Sequence, residues 1–343
     1  MPVFARSFDV DALSRWKDGK TGTAIHALFD GWALPGQPST PDAPLRLGVR
    51  NRYLNFYASG QSVAKLSIIR GQPQLSVHEA YVTGRKRGDE RADLPAGQRY
   101  KTFGAGWLAD PANAPHVAGW NDTAQSYAST EKCFVDELIA ANAGVIDLEM
   151  ALPASDTPGS DRVAPRMDLV VVETSEDGPP AIAFWEAKCA NNPELRSSKP
   201  FELHDDGSHS GPSVIHQIGK YVRWMDEART AEVRSAFPVA AARLLDLARL
   251  VHGENVEELE CARIWQELIA VEPQVIVQPG IVIGNYWPTG FREPVASDRM
   301  AQHVRRFAST HRGELLRHGM VIQEVGSDDE RALPPIARIV LPA

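Results

Sequence analysis

Two apolar segments separated by a short turn constrain the fold of this 343-residue chain more than any other feature. Residues 167–172 and 181–189 have the length and composition of buried strands, and the pair Asp177-Gly178 between them is a turn signal. Together they predict an antiparallel hairpin, with a register that an unknown turn type leaves open by one or two residues. Helical and strand-like patterns alternate around it from residue 129 onwards, which predicts an α/β or α+β architecture around one sheet.

The predicted hairpin brings charged side chains together. A turn near Asp177 places Asp168 opposite Glu186, and Lys188 shares their face because side chains alternate along a strand. Two carboxylates directly opposite one another are destabilising unless a cation lies between them. Mg²⁺ binds through one or two carboxylates and keeps several waters, so the pair suits this ion. With Lys188 to offset charge on a phosphate, the three groups have the chemistry for phosphodiester hydrolysis.

The Glu186-x-Lys188 pattern alone carries little information. Glu-x-Lys is expected by chance about once in a chain of this length, and charged residues commonly protect the edges of sheets. The functional interpretation therefore depends on the residues around the hairpin.

A predicted helix after Ser129 adds a further acidic residue. Glu131 lies in its first turn and shares a face with the apolar residues Val135 and Leu138, which would point it towards the sheet. Glu137 is the competing acid on the same helix, and we favour Glu131. A purely structural role is also open, because the helix dipole favours an acid in the first turn.

A second predicted helix, over 214–227, carries Gln217 and Tyr221 four residues apart. Positions i and i+4 face the same way, so both side chains could reach the strand that bears Glu186 and Lys188. Ordinary packing on the helix surface is the structural alternative.

The order and spacing of these motifs resemble the PD-(D/E)xK nuclease superfamily, in its RecB-like branch with a QxxxY motif. The resemblance covers roughly residues 129–226, and Met167 stands where the family motif has proline. It implies an α/β fold with a restriction-endonuclease-like mixed central sheet flanked by helices. It also implies that Asp168, Glu186 and Glu131 are catalytic ligands of Mg²⁺ or Mn²⁺, and that Lys188 is the catalytic lysine. The backbone carbonyl of Ala187 would be an additional ligand.

Strand-like segments also dominate the N-terminal part of the chain. They form a predicted antiparallel meander with one polar face over 45–49, 53–57, 63–69 and 75–82. We therefore predict a mainly β domain over residues 1–128, with a loop-rich connection at 84–128, and a nuclease-like domain with C-terminal helical and strand extensions over 129–343. The aromatic residues Tyr53, Phe56 and Tyr57 could stack on bases or simply form the core.

The charge distribution bears on the partner. The net charge is −8, yet residues 1–130 carry 15 basic against 11 acidic residues. A basic cluster begins at Arg85, Lys86 and Arg87, and together with Gln217 and Tyr221 it supplies the predicted nucleic-acid contacts. A solvated loop is the alternative for the cluster. DNA is the expected partner and RNA a second option.

Composition excludes several other classes. The three widely spaced cysteines, Cys133, Cys189 and Cys261, exclude a disulfide framework and a four-cysteine iron–sulfur cluster within this chain. The spacing of His204, His209 and His216 fits no familiar zinc motif. No apolar run reaches the roughly 18 residues of a membrane span, and the N-terminus does not resemble a signal peptide, so a cytoplasmic protein is expected.

The sequence therefore predicts a Mg²⁺-dependent deoxyribonuclease, in prokaryotic defence against foreign DNA or in DNA repair. The alternative is a catalytically inactive nuclease-like module that binds nucleic acid or a protein, which the acidic surface beyond residue 130 favours. The oligomeric state is open, with a homodimer as one option.

Overall fold

The computed structural model describes residues 4–17, 21–85, 100–151, 166–175, 178–197, 199–205, 207–225, 227–284, 302–303, 305–325 and 331–336. The chain forms two compact units. The first unit comprises residues 1–4, 148–234 and 273–343, and the second comprises residues 5–147 and 235–272. The predicted boundary between residues 128 and 129 does not coincide with this division, since it lies inside the second unit.

Strands account for three sheets in the described chain. In chain order they are β1 (Leu45–Val49), β2 (Tyr53–Ala58), β3 (Gln61–Ile69), β4 (Gln72–His78), β5 (Tyr100–Phe103), β6 (Val145–Ala151), β7 (Arg166–Ser175), β8 (Gly178–Cys189), β9 (Glu202–Leu203), β10 (His209–Ser210), β11 (Gln274–Val275), β12 (Gly280–Gly284) and β13 (Val321–Glu324).

The described helices lie before, between and after these strands. They are α1 (Val10–Lys17), α2 (Ala24–Asp30), α3 (Glu79–Val82), α4 (Ala105–Leu108), α5 (Ala114–Gln125), α6 (Thr130–Ala141), α7 (Ser213–Trp224), α8 (Glu227–His252), α9 (Glu260–Ala270) and α10 (Arg312–Arg317). Among the described residues, no helix is both long and apolar enough to cross a membrane.

The second unit contains the predicted meander. Strands β1 to β5 form a five-stranded antiparallel sheet in chain order. The prediction of a loop-rich connection over 84–128 is wrong for the described residues 100–125, because they include β5, α4 and α5, and α5 buries Val117 and Trp120. Proline at its first turn and many small residues make this segment look like a loop. Phe56 and Tyr57 are buried and belong to the core.

A buried ionic cluster also stabilises the second unit. Asp147 accepts hydrogen bonds from the guanidinium groups of Arg6 and Arg50, and Arg50 also donates to the Tyr57 hydroxyl at 2.9 Å. All three charged side chains are buried. Arg6 and Arg50 therefore neutralise a buried carboxylate in the fold, and they are poor candidates for contacts to a phosphate backbone.

The first unit is built around a mixed six-stranded sheet. Its order is β13-β12-β8-β7-β6, with the short strand β11 also paired to β8. Strand β8 pairs antiparallel with β7 and parallel with β11 and β12. Residues 180–189 of β8 are all buried, as expected for a central strand of an α/β sheet. The class is thus mixed α/β, in agreement with the sequence.

A glycine sets the approach of β12 to β8. Gly280 lies opposite Trp185, and a Cβ atom at residue 280 would lie 2.6 Å from Cε3 of the Trp185 ring. That distance is well inside van der Waals contact, so only glycine lets the large ring lie over β12. The strand that carries Glu186 and Lys188 is thereby fixed by packing on its other face.

Replacing Gly280 by alanine should therefore weaken the first unit. We expect Gly280→Ala to lower the free energy of unfolding by about 1–3 kcal/mol, the usual cost of overpacking a well-packed core. Urea denaturation of the full chain followed by circular dichroism measures this value.

Gly313 in α10 is the matched control, because a Cβ atom there meets nothing within 4 Å. Gly313→Ala should leave stability unchanged or raise it by up to about 1 kcal/mol, as alanine favours a helix. Equal destabilisation by both substitutions would contradict the packing argument.

Candidate functional site

Strands β7 and β8 pair in the register that the sequence predicts. Leu169 lies opposite Trp185, and the pairing continues in the same register for the next four residue pairs. One step further along β7, Asp168 accepts a hydrogen bond through Oδ2 from the backbone N–H of Ala187, at 2.9 Å. The half-buried Asp168 carboxyl group is thereby held beside the residues that follow Trp185 on β8.

Glu186 is the most tightly held carboxyl group of the site, with 2% of its surface exposed. Its Oε1 atom lies 2.7 Å from Nζ of Lys188 and accepts a hydrogen bond from Nε2 of Gln217 at 2.6 Å. Its Oε2 atom lies 3.1 Å from the hydroxyl oxygen of Tyr221. The prediction that Gln217 and Tyr221 reach together from α7 towards the Glu186 strand is confirmed.

Tyr221 is fully buried and links three parts of the site. Its hydroxyl group donates to the backbone carbonyl of Arg166 at the start of β7, and it accepts from Nε2 of Gln217 at 2.8 Å. Burial and the nearby Glu186 charge raise the pKa of Tyr221, so the hydroxyl keeps its proton. This placement makes Gln217 and Tyr221 supports of Glu186, and their contact with nucleic acid stays a prediction.

Lys188 lies between two carboxylates, of which the sequence indicated one. The buried Lys188 ammonium group lies 2.9 Å from Oε2 of Glu194 as well as beside Glu186. Glu194 belongs to a 3-10 turn over Pro193–Leu195, whose first residues are capped by the Asn192 side chain. The Asn-Pro-Glu sequence is a signal for such a turn, but nothing in it indicates a partner for the lysine.

Burial opposes ionisation of both acids on the paired strands. Burial and then repulsion from Glu186 hold the pKa of Asp168 well above its ordinary value. Burial also raises the pKa of Glu186, although the Lys188 charge opposes the shift. The ionised forms of Asp168 and Glu186 are therefore poorly solvated. A further positive charge beside them would lower the pKa of both acids.

Glu149 on β6 is a further acid that the sequence reasoning missed. Its charge raises the pKa of Asp168, and it lies 3.7 Å from the guanidinium group of Arg166. Its φ of +49° is in the left-handed region, which is rare for a residue other than glycine and is concentrated at functional sites. No sequence pattern marks a glutamate for that conformation.

Acids outnumber bases among the described residues of this site. The carboxyl groups are those of Glu149, Asp168, Glu186 and Glu194, and the cationic groups are those of Arg166 and Lys188. A divalent cation would balance this charge, and two carboxylates with a backbone carbonyl are a suitable donor set for Mg²⁺. In the part of the chain that the structure describes, no group of three or more His, Cys, Asp or Glu residues could hold a metal ion. Two protein carboxylates and one carbonyl would leave the rest of the coordination of Mg²⁺ to water.

The remaining predicted site residues lie in the second unit. Glu131 is half-buried in the first turn of α6, with Val135 and Leu138 buried and Glu137 exposed, as the helical pattern predicted. Its role as a metal ligand stays a prediction. Arg85 is half-buried and its carbonyl accepts the Tyr127 hydroxyl at 2.7 Å.

The basic cluster and the histidines and cysteines complete the comparison with the sequence. Lys86 and Arg87 lie outside the described residues. Of the three histidines whose spacing fits no zinc motif, two are in contact, since Nδ1 of His209 lies 2.8 Å from Nδ1 of His216. All three cysteines are free, as expected.

Comparison with known proteins gives this site no relative. No family model, no curated protein and no solved structure matches the chain.

Removing the Asp168 charge should stabilise the protein when no metal is added. An amide at this position can keep the Ala187 hydrogen bond through its oxygen, while its N–H group faces Glu186 in place of a like charge. We expect Asp168→Asn to raise the free energy of unfolding by about 1–2 kcal/mol in EDTA, because the substitution removes the repulsion between two like charges.

Urea denaturation compares this variant with Asp122→Asn, at an exposed position on α5. The control should change the free energy of unfolding by less than about 0.5 kcal/mol. A loss of stability in Asp168→Asn would show that the carboxylate is a net stabilising group.

Proposed function

We propose that this protein is a Mg²⁺-dependent deoxyribonuclease whose first unit is a restriction-endonuclease-like core. The observation that carries the proposal is the placement of Asp168 beside Glu186 on paired strands, with Lys188 in contact with Glu186 at 2.7 Å. This arrangement combines an unbalanced pair of hard oxygen donors with one buried cation. A divalent ion would balance the two carboxylates, and a phosphodiester would bring a negative charge to the lysine.

Each residue has a distinct part in the proposed reaction. Asp168 and Glu186, with the Ala187 carbonyl, would hold the ion, which when bound supplies Lewis-acid stabilisation to the phosphate. The Lys188 side chain lies beside two carboxylates and would bind a phosphate oxygen as negative charge accumulates on it. Gln217 and Tyr221 hold Glu186 in one orientation, which limits the cost of reorganisation.

Cleavage of DNA should depend on these side chains and on a divalent ion. We expect the full chain to cut linear duplex, closed circular or single-stranded DNA with Mg²⁺ or Mn²⁺ and to be inactive in EDTA. Glu186→Gln and Lys188→Ala should each lower the rate by roughly 10²- to 10³-fold, the usual loss when one charge-stabilising group is removed. Gel analysis of labelled substrates measures the rates and also distinguishes internal from terminal cleavage.

Arg243→Ala is the control, because this exposed residue of α8 pairs with Asp246 on the same helix. It should cut like the wild type, and circular dichroism should show all variants folded. Undiminished cleavage by folded Glu186→Gln or Lys188→Ala would refute the assignment.

An inactive nuclease-like module is the second candidate, and one observation favours it. Both oxygens of Glu186 already have protein partners, which are Lys188 and Gln217 at Oε1 and Tyr221 at Oε2. A module that only binds nucleic acid or a protein has no need to exchange these partners for a metal ion.

Binding of Mg²⁺ separates the two candidates. In the absence of DNA, saturating Mg²⁺ should raise the melting temperature of the wild type, because an ion that binds only the folded state stabilises it by mass action. NaCl at the same ionic strength controls for salt. The increase should be lost in the double variant Asp168→Asn, Glu186→Gln, and equal shifts in wild type and double variant would favour the inactive module.

Cleavage of foreign or damaged DNA, in prokaryotic defence or in repair, is the biological setting that fits this activity. DNA is the proposed partner, with RNA as a second substrate to test in the same assay.

A further inference from the structure

We propose that the outer face of the β2–β5 sheet in the second unit binds single-stranded DNA by stacking its bases on two tyrosine rings. This outer face is defined by the residues whose side chains share one surface in the strand register, opposite the buried leucines of β2, β3 and β4. They include Tyr53, Lys65, Ser67, Ser76, Tyr100 and Thr102. The inference rests on the proposed function for its choice of DNA, and it concerns binding alone.

The strand register places these side chains on one surface. Tyr53 pairs with Ser67, Lys65 with Ser76, and Ser76 with Thr102. The opposite surface carries Leu54, Leu66 and Leu75, all fully buried, and helices pack against it. One side of the sheet is thus core, while the other presents aromatic and small polar groups.

Two tyrosine rings flank a lysine on this outer face. Nζ of Lys65 lies 5.9 Å from the ring centre of Tyr53 and 5.2 Å from that of Tyr100. Tyr100 is 50% exposed, and its ring meets the His78 ring edge to face at 5.4 Å, which fixes its orientation. Flat rings beside an ammonium group are the combination that binds single-stranded nucleic acid, since the rings stack on bases and the cation binds phosphate.

Charge favours a polyanion as the occupant. Strands β1 to β5 contain no aspartate or glutamate in a chain that has 44 acidic residues, while β3 carries Lys65 on the outer face. A protein partner that binds through acidic side chains has no flat groups to stack on the rings of Tyr53 and Tyr100.

Single strands fit this surface better than a duplex. The bases of a duplex are stacked on one another, so their faces are closed to protein side chains, whereas an unpaired strand can turn its bases outwards. Ile69, 49% exposed at the end of β3, extends the apolar area that unstacked bases would cover. Stacking is tolerant of sequence, so little base preference is expected.

Fluorescence anisotropy of labelled oligo(dT) tests the proposal with the full chain. The oligonucleotide has about 16 nucleotides, the upper end of the usual site size of one single-strand-binding domain. The measurement is made in EDTA, so that it needs neither metal nor cleavage. Tyr53→Ala and Tyr100→Ala should each weaken binding at least about fivefold, while Tyr53→Phe and Tyr100→Phe should bind like the wild type because they keep a ring to stack on. Lys65→Ala should make the dependence of log affinity on log salt less steep by about 0.7, the value for one phosphate contact to a single strand.

Ile269→Ala, at an exposed apolar position on α9, is the matched control and should leave affinity unchanged. Wild-type affinity in both folded tyrosine-to-alanine variants would overturn the proposal. Equal or tighter binding of a duplex, or of oligo(rU) over oligo(dT), would also overturn it.

Failure of the two proposals can be told apart. Lys188→Ala tests the nuclease proposal through cleavage, and the tyrosine variants test this one through binding of oligo(dT) in EDTA. Loss of cleavage without any role for the tyrosines leaves the nuclease proposal standing and removes this one. Loss of binding in the tyrosine variants, with cleavage unaffected by Lys188→Ala, supports binding by the sheet and refutes the nuclease assignment.

Discussion

The approach of Asp168 to Glu186 across the β7–β8 pair is the interaction on which the candidate site depends. Backbone pairing, not attraction between side chains, brings the two acids together, because the Ala187 N–H group holds Asp168 and Glu186 is the residue directly before Ala187 on β8. Lys188 compensates for part of the charge, and the pKa of each acid stays raised. Repulsion that the fold maintains in its core is typical of functional sites, where stability is given up for a ligand.

The surrounding sheet makes that arrangement rigid. Strand β8 is buried over its whole central length, and Trp185 fills the space above Gly280 on the neighbouring strand. Two side chains of α7 also hold Glu186, since Gln217 donates to its Oε1 atom and the Tyr221 hydroxyl lies beside its Oε2 atom. Since strand, ring and helix all constrain the same few residues, the carboxylate has little freedom to move away from Asp168.

Local patterns in the sequence were sufficient for the paired strands. The apolar runs on both sides of Asp177-Gly178 predict β7 and β8 with the observed register, and the spacing of Gln217 and Tyr221 predicts their meeting at Glu186. Each of these predictions depends on periodicity within one or two elements. The helix α5 was missed because its small residues and early proline resemble loop composition, and burial of Trp120 against its neighbours determines the helix instead.

Contacts between distant segments explain what the sequence could not supply. Glu194 reaches Lys188 from a 3-10 turn after β8, and the Glu149 charge acts on Asp168 from a position with a left-handed backbone conformation. No regular interval along the sequence marks either pair of residues. The division into two units is similarly invisible, because residues 235–272 join a unit that otherwise ends at residue 147.

The two partners of Lys188 differ in a way that suits a phosphate ligand. Glu186 is 2% exposed and has three side-chain partners, so its replacement beside the lysine would leave a buried charge. The Glu194 side chain is 44% exposed, so water screens its ion pair with Lys188 more than it screens the pair with Glu186. A phosphate oxygen that approaches Lys188 from solvent would therefore displace Glu194 more easily than Glu186. The lysine would then change its outer partner without losing its position on β8.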